Sequence, residues 1–360
     1  MKQTISLFLV IALLVSFTKE SAYIPATQVS IKGDKFYING KPTFEGRSWN
    51  GVSVEGLLPN SRMVQGTFDD LNTDTILKWD YPNGKWDANR NTDEFIAAMP
   101  DWKEHGLLAI TLNFQGGSPE GYSRMQPWEN NAFEPNGDLR PDFAKRMDRI
   151  IAEADRLGMV VILGMFYFGQ DERLQDENAV IAAVDNVVKW LQGKGFTNVI
   201  IEVANESDNK SYQHEIISNE RIHELIGRIK KKAPALLVAT SFNGNTLPPD
   251  KVVQVSDYIL IHGNGVSKPS RITEMVQQVR ALPSYKPMPI VFNEDDHFDF
   301  DKPENNFVAA TKAHASWGYF DFRMKDEGFD EGYQSVPVNW GISSDRKKGF
   351  FDLMKEIFID

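Results

Sequence analysis

Two acidic residues stand at the ends of apolar runs, where a buried strand would deliver them to a common edge. The stretch Val199–Asn209 reads VIIEVANESDN, and its apolar part stops at Asn205 and Glu206. A second run, PIVFNE, ends at Glu294. One protonated and one ionised carboxyl group facing a shared pocket can cleave a glycosidic bond, because the first assists the departing oxygen and the second meets the positive charge that develops on the sugar. This chemistry requires a fold that brings Glu206 and Glu294 to within about 5 Å of each other.

Short apolar runs alternate with segments of helical periodicity along most of the chain. The runs are LLAITLN (107–113), MVVILG (159–164), NVIIEVA (198–204), ALLVATS (235–241), YILIH (258–262), PIVFNE (289–294) and WGYFDF (317–322), preceded by FEGRS (44–48). Strands that are apolar on both faces, each followed by an amphipathic helix, are typical of a parallel sheet covered by helices. Eight such units predict an α/β fold of the (β/α)8 TIM barrel type. An open doubly wound sheet is less favoured, because GRSWNG is not the Gly-rich phosphate turn of that fold.

Two segments near the first run have predicted structures of their own. Residues 29–44, VSIKGDKFYINGKPTF, contain alternating runs joined at Gly33-Asp34, with a second turn at Asn39-Gly40, and predict a small N-terminal β-hairpin. Residues 50–92 form the longest irregular piece, between the first strand and the first helix. Loops of this length are usually functional, so we expect this loop to lie over the active face.

The bulk composition limits the class of protein. The chain has 360 residues, of which 41% are hydrophobic, and no linker or repeat divides it, so we expect one catalytic domain over 23–360. Its net charge of −11 argues against nucleic acid or an anionic membrane surface as partner. Cysteine is absent from the sequence, which excludes disulfides and thiolate metal sites. The oligomeric state is not indicated.

The N-terminal segment, residues 1–22, has the pattern of a secretory signal peptide. Lys2 precedes an apolar core from Ile5 to Phe17, and small residues stand at Ser21 and Ala22. We therefore expect a secreted or periplasmic bacterial protein, free of the membrane after cleavage; an uncleaved anchor is the alternative. Export without disulfides is compatible with a bacterial source.

In a TIM barrel the carboxyl ends of all eight strands meet at one face, so the polar residues that end the apolar runs describe a site. Those residues are Arg47, Asn50, Asn113, Tyr167, Gln170, Asn205, Glu206, Ser241, Asn243, His262, Asn264, Asn293, Glu294, Trp317 and Asp321. Glu206, on the fourth strand, and Glu294, on the seventh, are the two carboxylates that we select from this set.

The positions of these two acids resemble the clan of retaining (β/α)8 glycoside hydrolases that includes family 5, the cellulase and mannanase group. In that clan an Asn-Glu pair ends strand four and a Glu ends strand seven, as Asn205-Glu206 and Glu294 do here. The resemblance implies that Glu206 is the acid/base, that Glu294 is the nucleophile, and that no cofactor is required. It extends to His262 after strand six and to Trp317 on strand eight.

The sequence also departs from that clan in two places. Ser207 replaces the usual proline after the strand-four acid, and His262-Gly263-Asn264 replaces the usual His-x-Tyr. The chain further resembles uncharacterised secreted barrel proteins that carry EGLLPNSRMVQGTFDD-like and EGYQSVPVNWGISSDRK-like stretches.

Further residues are predicted to support the two acids or to contact an oligo- or polysaccharide substrate. Arg47 is a candidate for keeping Glu294 ionised, since a nearby cation lowers a carboxyl pKa. Other predicted substrate contacts are Asn113, Asn205, His262 and Trp317, with Trp49 and Trp340 as additional flat aromatic faces. Subsite loops are predicted to use Glu55, Arg62, Gln65, Asp69, Gln115 and Tyr122.

Two other functions remain open from the sequence. The acidic stretch NEDDHFDFD (293–301) could bind a divalent metal through Asp295, Asp296, His297 and Asp299, which would make the protein a metal-dependent hydrolase on the same barrel. Alternatively, the barrel could bind carbohydrate without catalysis. The sugar configuration, the linkage and the choice between exo and endo cleavage are not fixed by any motif.

Overall fold

The computed structural model of the protein describes residues 23–123 and 125–360. The predicted signal peptide, residues 1–22, lies outside the described residues. Across the two described ranges, every helix is too short or too polar to cross a lipid bilayer.

The chain begins with the predicted hairpin, which is extended by a third strand. Strands β1 (Val29–Lys32), β2 (Lys35–Ile38) and β3 (Lys41–Pro42) form an antiparallel sheet. The turn between β2 and β3 uses Asn39 and Gly40 at φ of 52° and 79°, the left-handed conformation that type I′ hairpin turns require. A two-residue ladder follows, built from β4 (Ser48–Trp49) and β5 (Val52–Ser53).

Eight parallel strands then form the barrel. They are β6 (Asn60–Arg62), β7 (Ala109–Asn113), β8 (Val160–Phe166), β9 (Val199–Ala204), β10 (Leu237–Ala239), β11 (Ile259–His262), β12 (Ile290–Glu294) and β13 (Gly318–Tyr319). Strands β13, β6, β7, β8, β9 and β10 are hydrogen-bonded neighbours, and β11 pairs with β12. Backbone bonds from Phe292 to Ser316, and from Asp257 to Val238, join these two sets and close the barrel.

A helix follows each barrel strand. The helices are α1 (Ala88–Glu104), α2 (Pro141–Leu157), α3 (Glu177–Lys194), α4 (Ile222–Lys232), α5 (Asp250–Val255), α6 (Pro269–Arg280), α7 (Asn306–Lys312) and α8 (Asp345–Phe358). Helix α2 starts with Pro141 and ends at Gly158, which adopts a left-handed C-cap with φ of 71°.

The prediction for the first barrel strand was wrong. Residues 43–46 form a turn, with Phe44 and Gly46 at positive φ, and Ser48 begins β4, whereas the first barrel strand is β6, inside the segment predicted as a loop. Asn60, Ser61 and Arg62 are polar but fully buried, because their side chains find partners within the barrel wall and lumen. A strand whose residues are all polar gives no apolar run, so the sequence pattern could not indicate it.

The apolar core has two parts, separated by the barrel wall. The larger part lies between the strands and the helices. The smaller part fills the amino-terminal half of the barrel lumen and contains Leu58, Ile162, Ile200 and Leu260. Phe36 of the hairpin belongs to this inner cluster and is fully buried, so the hairpin seals the bottom of the barrel.

Candidate active site

Glu206 and Glu294 lie together at the carboxyl end of the barrel. Glu206 follows β9 and is 9% exposed, and Glu294 is the last residue of β12 and is 4% exposed. His262, the last residue of β11, is completely buried between them. Its Nδ1 atom lies 3.0 Å from Glu206 Oε1 and 3.8 Å from Glu294 Oε2. One oxygen of each glutamate and one nitrogen of the histidine all fall within 4.8 Å of one another.

Local backbone features aim both acids into the lumen. Glu206 has φ of 52°, a conformation that is costly for a residue with a side chain, and its N–H donates to Ser241 Oγ at 3.0 Å. In β12 the pairing register with β11 shifts at Asn293, so that His262 pairs with Glu294. This β-bulge allows Asn293 and Glu294 both to face the lumen, although strict alternation would turn one of them outward.

Arg62 is the cation beside Glu294. Its Nε atom lies 2.9 Å from Glu294 Oε2, and its Nη1 atom lies 3.4 Å from Glu202 Oε2. The Arg62–Glu294 contact is an ion pair whose angles do not satisfy a hydrogen bond, so Oε2 keeps unused accepting capacity. Asn113 is assigned with Oδ1 toward Arg62 Nη2 at 3.2 Å, because the opposite amide orientation would face donor to donor.

Arg47, which was predicted for this role, is at the other end of the barrel. Its Nε donates to the backbone oxygen of Ile357 at 3.3 Å, near the end of α8. Helices of a (β/α)8 barrel run antiparallel to the strands, so the end of α8 lies at the bottom of the barrel. The role of this cation was predicted for Arg47 and not for Arg62, because the first barrel strand was predicted at residues 44–48, ahead of its actual position in β6.

The charges around Glu294 act in opposite directions. Burial is the largest cause and raises the pKa of Glu294, and the nearby Glu206 also raises it. Arg62, His262 and a hydrogen bond from Asn264 lower the pKa, but the net direction is upward. These three groups favour the ionised form of Glu294, whereas burial and Glu206 oppose it.

The pKa of His262 is also shifted, and for this residue burial and the nearby charges have the opposite effects. Burial lowers the pKa of His262, but the charge of Glu294, the hydrogen bond and charge of Glu206, and the charge of Glu202 outweigh it, and the pKa is raised overall. A protonated imidazole can donate from Nδ1 to Glu206 while its charge offsets the two carboxylates. Nε2 of His262 is buried and has no protein partner among the described residues.

A second group of residues, on loops at the mouth of the barrel, forms a hydrogen-bond network with Glu294. Asn264 Nδ2 donates to Glu294 Oε1 at 2.7 Å and also to the hydroxyl oxygen of Tyr122 at 2.5 Å. Tyr122 in turn donates to Asp296 Oδ2 at 3.0 Å. Three loops, those after β7, β11 and β12, therefore meet beside Glu294.

The predicted substrate contact Asn205 lies next to Glu206 and is almost fully buried. Its backbone oxygen accepts a hydrogen bond from the hydroxyl of Tyr212 at 2.6 Å, but its side-chain Oδ1 is buried and has no protein partner among the described residues. Oδ1 of Asn264 is in the same condition. Buried polar atoms without partners are rare in folded proteins, and two of them beside paired carboxylates fit a site that a polar ligand completes.

Trp317 does not face the site, which corrects a prediction. Its indole Nε1 donates to Asp295 Oδ2 at 2.9 Å, and its ring stacks on Phe307 at 4.9 Å in the layer between strands and helices. The side chain of Phe320 instead packs against Tyr122 at the barrel mouth. Side chains two residues apart along a strand face the same side, so Trp317 and Tyr319 both face outward.

The two other candidate tryptophans are also structural. Trp49 Nε1 donates to Glu356 at 3.0 Å on the bottom side, and Trp340 is buried with Nε1 donating to Asn91 at 3.0 Å.

The predicted loop residues, apart from Arg62 and Tyr122, make structural contacts. Glu55 forms an ion pair with Lys35, and Asp69 forms one with Arg146. Gln65 donates to the backbone oxygens of Gly117 and Ser118. Gln115 donates to the side chain of Asn131.

The acidic stretch 293–301 is organised by internal hydrogen bonds. Oδ1 of Asp295 accepts from the backbone N–H and the ring Nδ1 of His297, and Oδ2 accepts from Trp317 and Asn306. All the accepting positions of this carboxylate are used, so a metal bound by Asp295 would have to displace existing donors. In the Glu206–His262–Glu294 group, the guanidinium of Arg62 supplies positive charge beside Glu294.

Comparison with known proteins was made at the levels of sequence and of structure. No protein-family model and no curated protein matches the sequence. Among solved structures, a family 5 glycoside hydrolase mannosidase from Rhizomucor miehei matches with a TM-score of 0.57 at 12% identity, over 92% of this chain and 97% of that chain. A family 5 glycoside hydrolase from Bacteroides vulgatus ATCC 8482 has a TM-score of 0.54 at 16% identity, over 93% and 72% of the two chains. The chain therefore shares its barrel fold with these family 5 glycoside hydrolases.

A further similar structure, a GH5_18 protein from Bifidobacterium longum subsp. infantis, has a TM-score of 0.53 at 12% identity, over 84% of this chain and 80% of that chain. The predicted TIM barrel is therefore confirmed. The identities are too low to transfer an activity, so the chemistry must be argued from the site of this chain.

Three residues named from the sequence have a larger part in the site than was predicted for them. Arg62 was predicted only as a subsite-loop residue, and Asn264 and Tyr167 only as polar residues that end apolar runs. Burial raises the pKa of Tyr167, followed by the charges of Glu294 and Glu206, which places its phenol near both acids. Tyr167 directly follows β8, so its position after a buried run was a usable signal.

Proposed function

We propose that this protein is a retaining glycoside hydrolase in which Glu294 is the nucleophile and Glu206 is the acid/base. The observation that carries the proposal is the pair of buried carboxylates at the ends of β9 and β12, with oxygens within 4.8 Å of each other. Retaining enzymes place their carboxyl groups about 5 to 5.5 Å apart, whereas inverting enzymes need about 6.5 to 9.5 Å to admit a water molecule. The short separation supports double displacement.

In the first step, the ionised carboxylate of Glu294 attacks the anomeric carbon while the bond to the glycosidic oxygen breaks. Glu206 gives its proton to that oxygen, so the leaving group departs as an alcohol and the sugar is held as an ester on Glu294. In the second step, Glu206 takes a proton from water, the water oxygen bonds to the anomeric carbon, and Glu294 is released. No cofactor takes part in these steps.

The surrounding residues fit this sequence of events. Arg62 and Asn264 favour the ionised form of Glu294 before attack. His262 orients Glu206 through Nδ1. The Oδ1 atom of Asn205, next to Glu206, has no protein partner among the described residues and can accept a hydrogen bond from a sugar hydroxyl, which fits the substrate contact expected of Asn205 from the sequence.

The test is hydrolysis of aryl glycosides of several configurations by the protein and by Glu206→Gln and Glu294→Gln, with and without chelator. Mannosides belong in this screen because one of the similar structures is a mannosidase. We expect activity with chelator present and its loss in both variants. A 2-fluoro glycoside of the matching configuration should add one sugar mass to the Glu294 peptide. Activity that needs metal would support the metal-dependent alternative, and sugar binding without turnover would support a carbohydrate-binding protein.

We further propose that residues 1–22 are a signal peptide and that the mature chain is a single exported domain beginning near residue 23. The charged start, the apolar stretch and the small residues of the sequence support this proposal. Sequencing the N-terminus of the protein from the periplasm or medium of an expressing bacterium tests it. An intact Met1 on protein recovered from the cytoplasm would contradict it.

A further inference from the structure

The mouth of the barrel differs between the Glu294 side and the Glu206 side. On the Glu294 side, the loop after β7 crosses toward the loops after β11 and β12. Tyr122 makes this crossing through its bonds with Asn264 and Asp296, and Asn264 also holds Glu294. The crossing residues lie directly beside the carboxylate, so they limit the space on that side.

Aromatic packing supports the crossing. The ring of Tyr122 packs edge-on against Phe320, with ring centres 5.4 Å apart, and against Phe322 at 5.0 Å. Both phenylalanines follow β13, the strand next to β12. A continuous wall is thus formed over β12 and β13, made of Tyr122, Phe320 and Phe322 and called here the aromatic wall.

The loop that carries Tyr122 is anchored by hydrogen bonds that do not involve the aromatic rings. Val336 N–H donates to the oxygen of Pro119 at 2.8 Å. The oxygen of Ser118 accepts from Gln334 Nε2 at 3.2 Å and from Gln65 Nε2 at 3.0 Å. The loop that carries Tyr122 is therefore fixed to the loop after β13 and to the segment after β6.

On the Glu206 side the surface is open. A cavity of about 570 Å³ lies there, and its lining includes Gln126, Phe168, Gly169, Asn209, Ser211 and Gln213. The backbone N–H of Asn209 donates to the backbone oxygen of Glu206 at 2.8 Å, so the cavity lies beside the chain segment that carries the predicted acid/base. Within the described part of the chain, Gln126 Oε1 is buried without a protein partner. The volume is in the range of small-molecule sites, and we call this cavity the β8–β9 groove.

The two acids define which part of a substrate each side would hold. The sugar whose anomeric carbon is attacked lies at the nucleophile, and the leaving group lies at the acid/base. Resting on the proposed function, we infer that the enzyme is exo-acting. The aromatic wall admits one terminal sugar at the non-reducing end, and the β8–β9 groove binds the leaving saccharide. Phe168, at the groove, offers a ring on which a sugar can stack.

The test follows the products of oligosaccharides of two to six units, labelled at the reducing end, during early turnover. The linkage is the one that the aryl glycoside screen identifies. We expect the monosaccharide and a labelled product shorter by one unit, from every substrate longer than two. Early release of unlabelled disaccharides or larger fragments would overturn the inference.

A variant in the groove provides a second readout. In Phe168→Ala, we expect KM for a disaccharide to rise about five-fold more than KM for the glycosyl fluoride of the same sugar, because fluoride leaves the groove empty. Leu77→Ala, on an exposed residue outside the site, is the control for handling and folding. An equal effect on both substrates would mean that the groove does not bind the leaving saccharide.

The two proposals fail in different ways. If the protein hydrolyses the glycosyl fluoride and cuts oligosaccharides internally, only the exo assignment is wrong. If it hydrolyses no glycoside of any configuration, the proposed function is wrong and the exo assignment with it.

Discussion

The lower and upper halves of the barrel lumen are built from the same strands but have opposite chemistry. In β9, Ile200 belongs to the apolar inner cluster, whereas Glu202, two residues later, is an ion-pair partner of Arg62. In β12, Val291 is apolar and Asn293 donates to Glu202 at 3.2 Å. In each strand, the side chain in the apolar cluster and the side chain in the polar network are two residues apart, which is one pleat repeat.

The difference shows how the barrel supports a buried charge cluster. Burying a charge costs several kcal/mol unless partners compensate it, and the ion pairs of Arg62 with Glu202 and Glu294 supply that compensation. The lower half contributes mainly apolar burial. We therefore expect substitutions in the lower half to change stability, and those in the upper half to change activity and its pH dependence.

The largest effect is expected in the upper half, for Glu294→Gln. Loss of the nucleophile should lower kcat/KM on the order of 10⁴-fold or more, measured on the best aryl glycoside. The thermal midpoint should fall much less than that of Phe36→Ala in the lower half, because Arg62 retains Glu202. A variant that keeps more than a tenth of the activity would remove Glu294 from the mechanism.

The same variant also tests the pKa of Glu294. A pKa that is raised in the folded state means that this glutamate stabilises the protein below its unfolded pKa, and that the stabilisation is lost as pH rises through the folded pKa. The thermal midpoint of Glu294→Gln relative to the wild type should therefore increase from mildly acidic to neutral pH. A difference that stays constant with pH would contradict the raised pKa.

In the lower half, Phe36→Ala should reduce the free energy of unfolding by about 3 to 5 kcal/mol, because the ring is fully buried against Tyr258 at the bottom of the barrel. Denaturant unfolding measures the loss. Tyr37→Ala, on the partly exposed side of the same strand, is the matched control. If kcat/KM per folded molecule also falls for Phe36→Ala, the two halves are not independent.

Arg62→Gln tests the electrostatic support of the upper half. The guanidinium lowers the pKa of Glu294, so its removal should raise that pKa and move the acidic limb of the kcat/KM profile to higher pH. At neutral pH we expect a loss of about ten-fold. Arg62→Lys keeps the charge and should leave the limb closer to its original position. An unchanged limb in Arg62→Gln would show that another group controls it.

Trp317→Phe should have a small effect on stability alone. The variant keeps the stacking on Phe307 but loses the bond to Asp295, which should cost about 1 to 2 kcal/mol of unfolding free energy without a change in KM. Trp340→Phe, which also loses one buried indole bond, is the control. A raised KM in Trp317→Phe alone would restore this residue as a sugar contact.

The smallest effect is expected for Arg47→Gln. This side chain makes one long contact to the end of α8, so the unfolding free energy should change by less than about 0.5 kcal/mol. The pH profile should coincide with that of the wild type. A shifted acidic limb would mean that Arg47, and not only Arg62, acts on Glu294.

The barrel could be predicted because most strands are continuous apolar runs and the helices have clear stripes and stops. Seven of the eight barrel strands lie within or overlap a predicted run. The two acids could be predicted because the carboxyl ends of parallel strands must meet at one face. These inferences need only periodicity and the position of a polar residue after an apolar run.

What the sequence alone determined is therefore the fold class, the order of the strands and the meeting of Glu206 and Glu294 at one rim. Tertiary structure decided which side chains support them. Arg62 lies on a polar strand that has no hydrophobic signature, the bulge at Asn293 changes which residues face the lumen, and Trp317 faces outward. Contacts between distant strands fix these choices, because the partner that satisfies a buried polar group is known only once the barrel has closed.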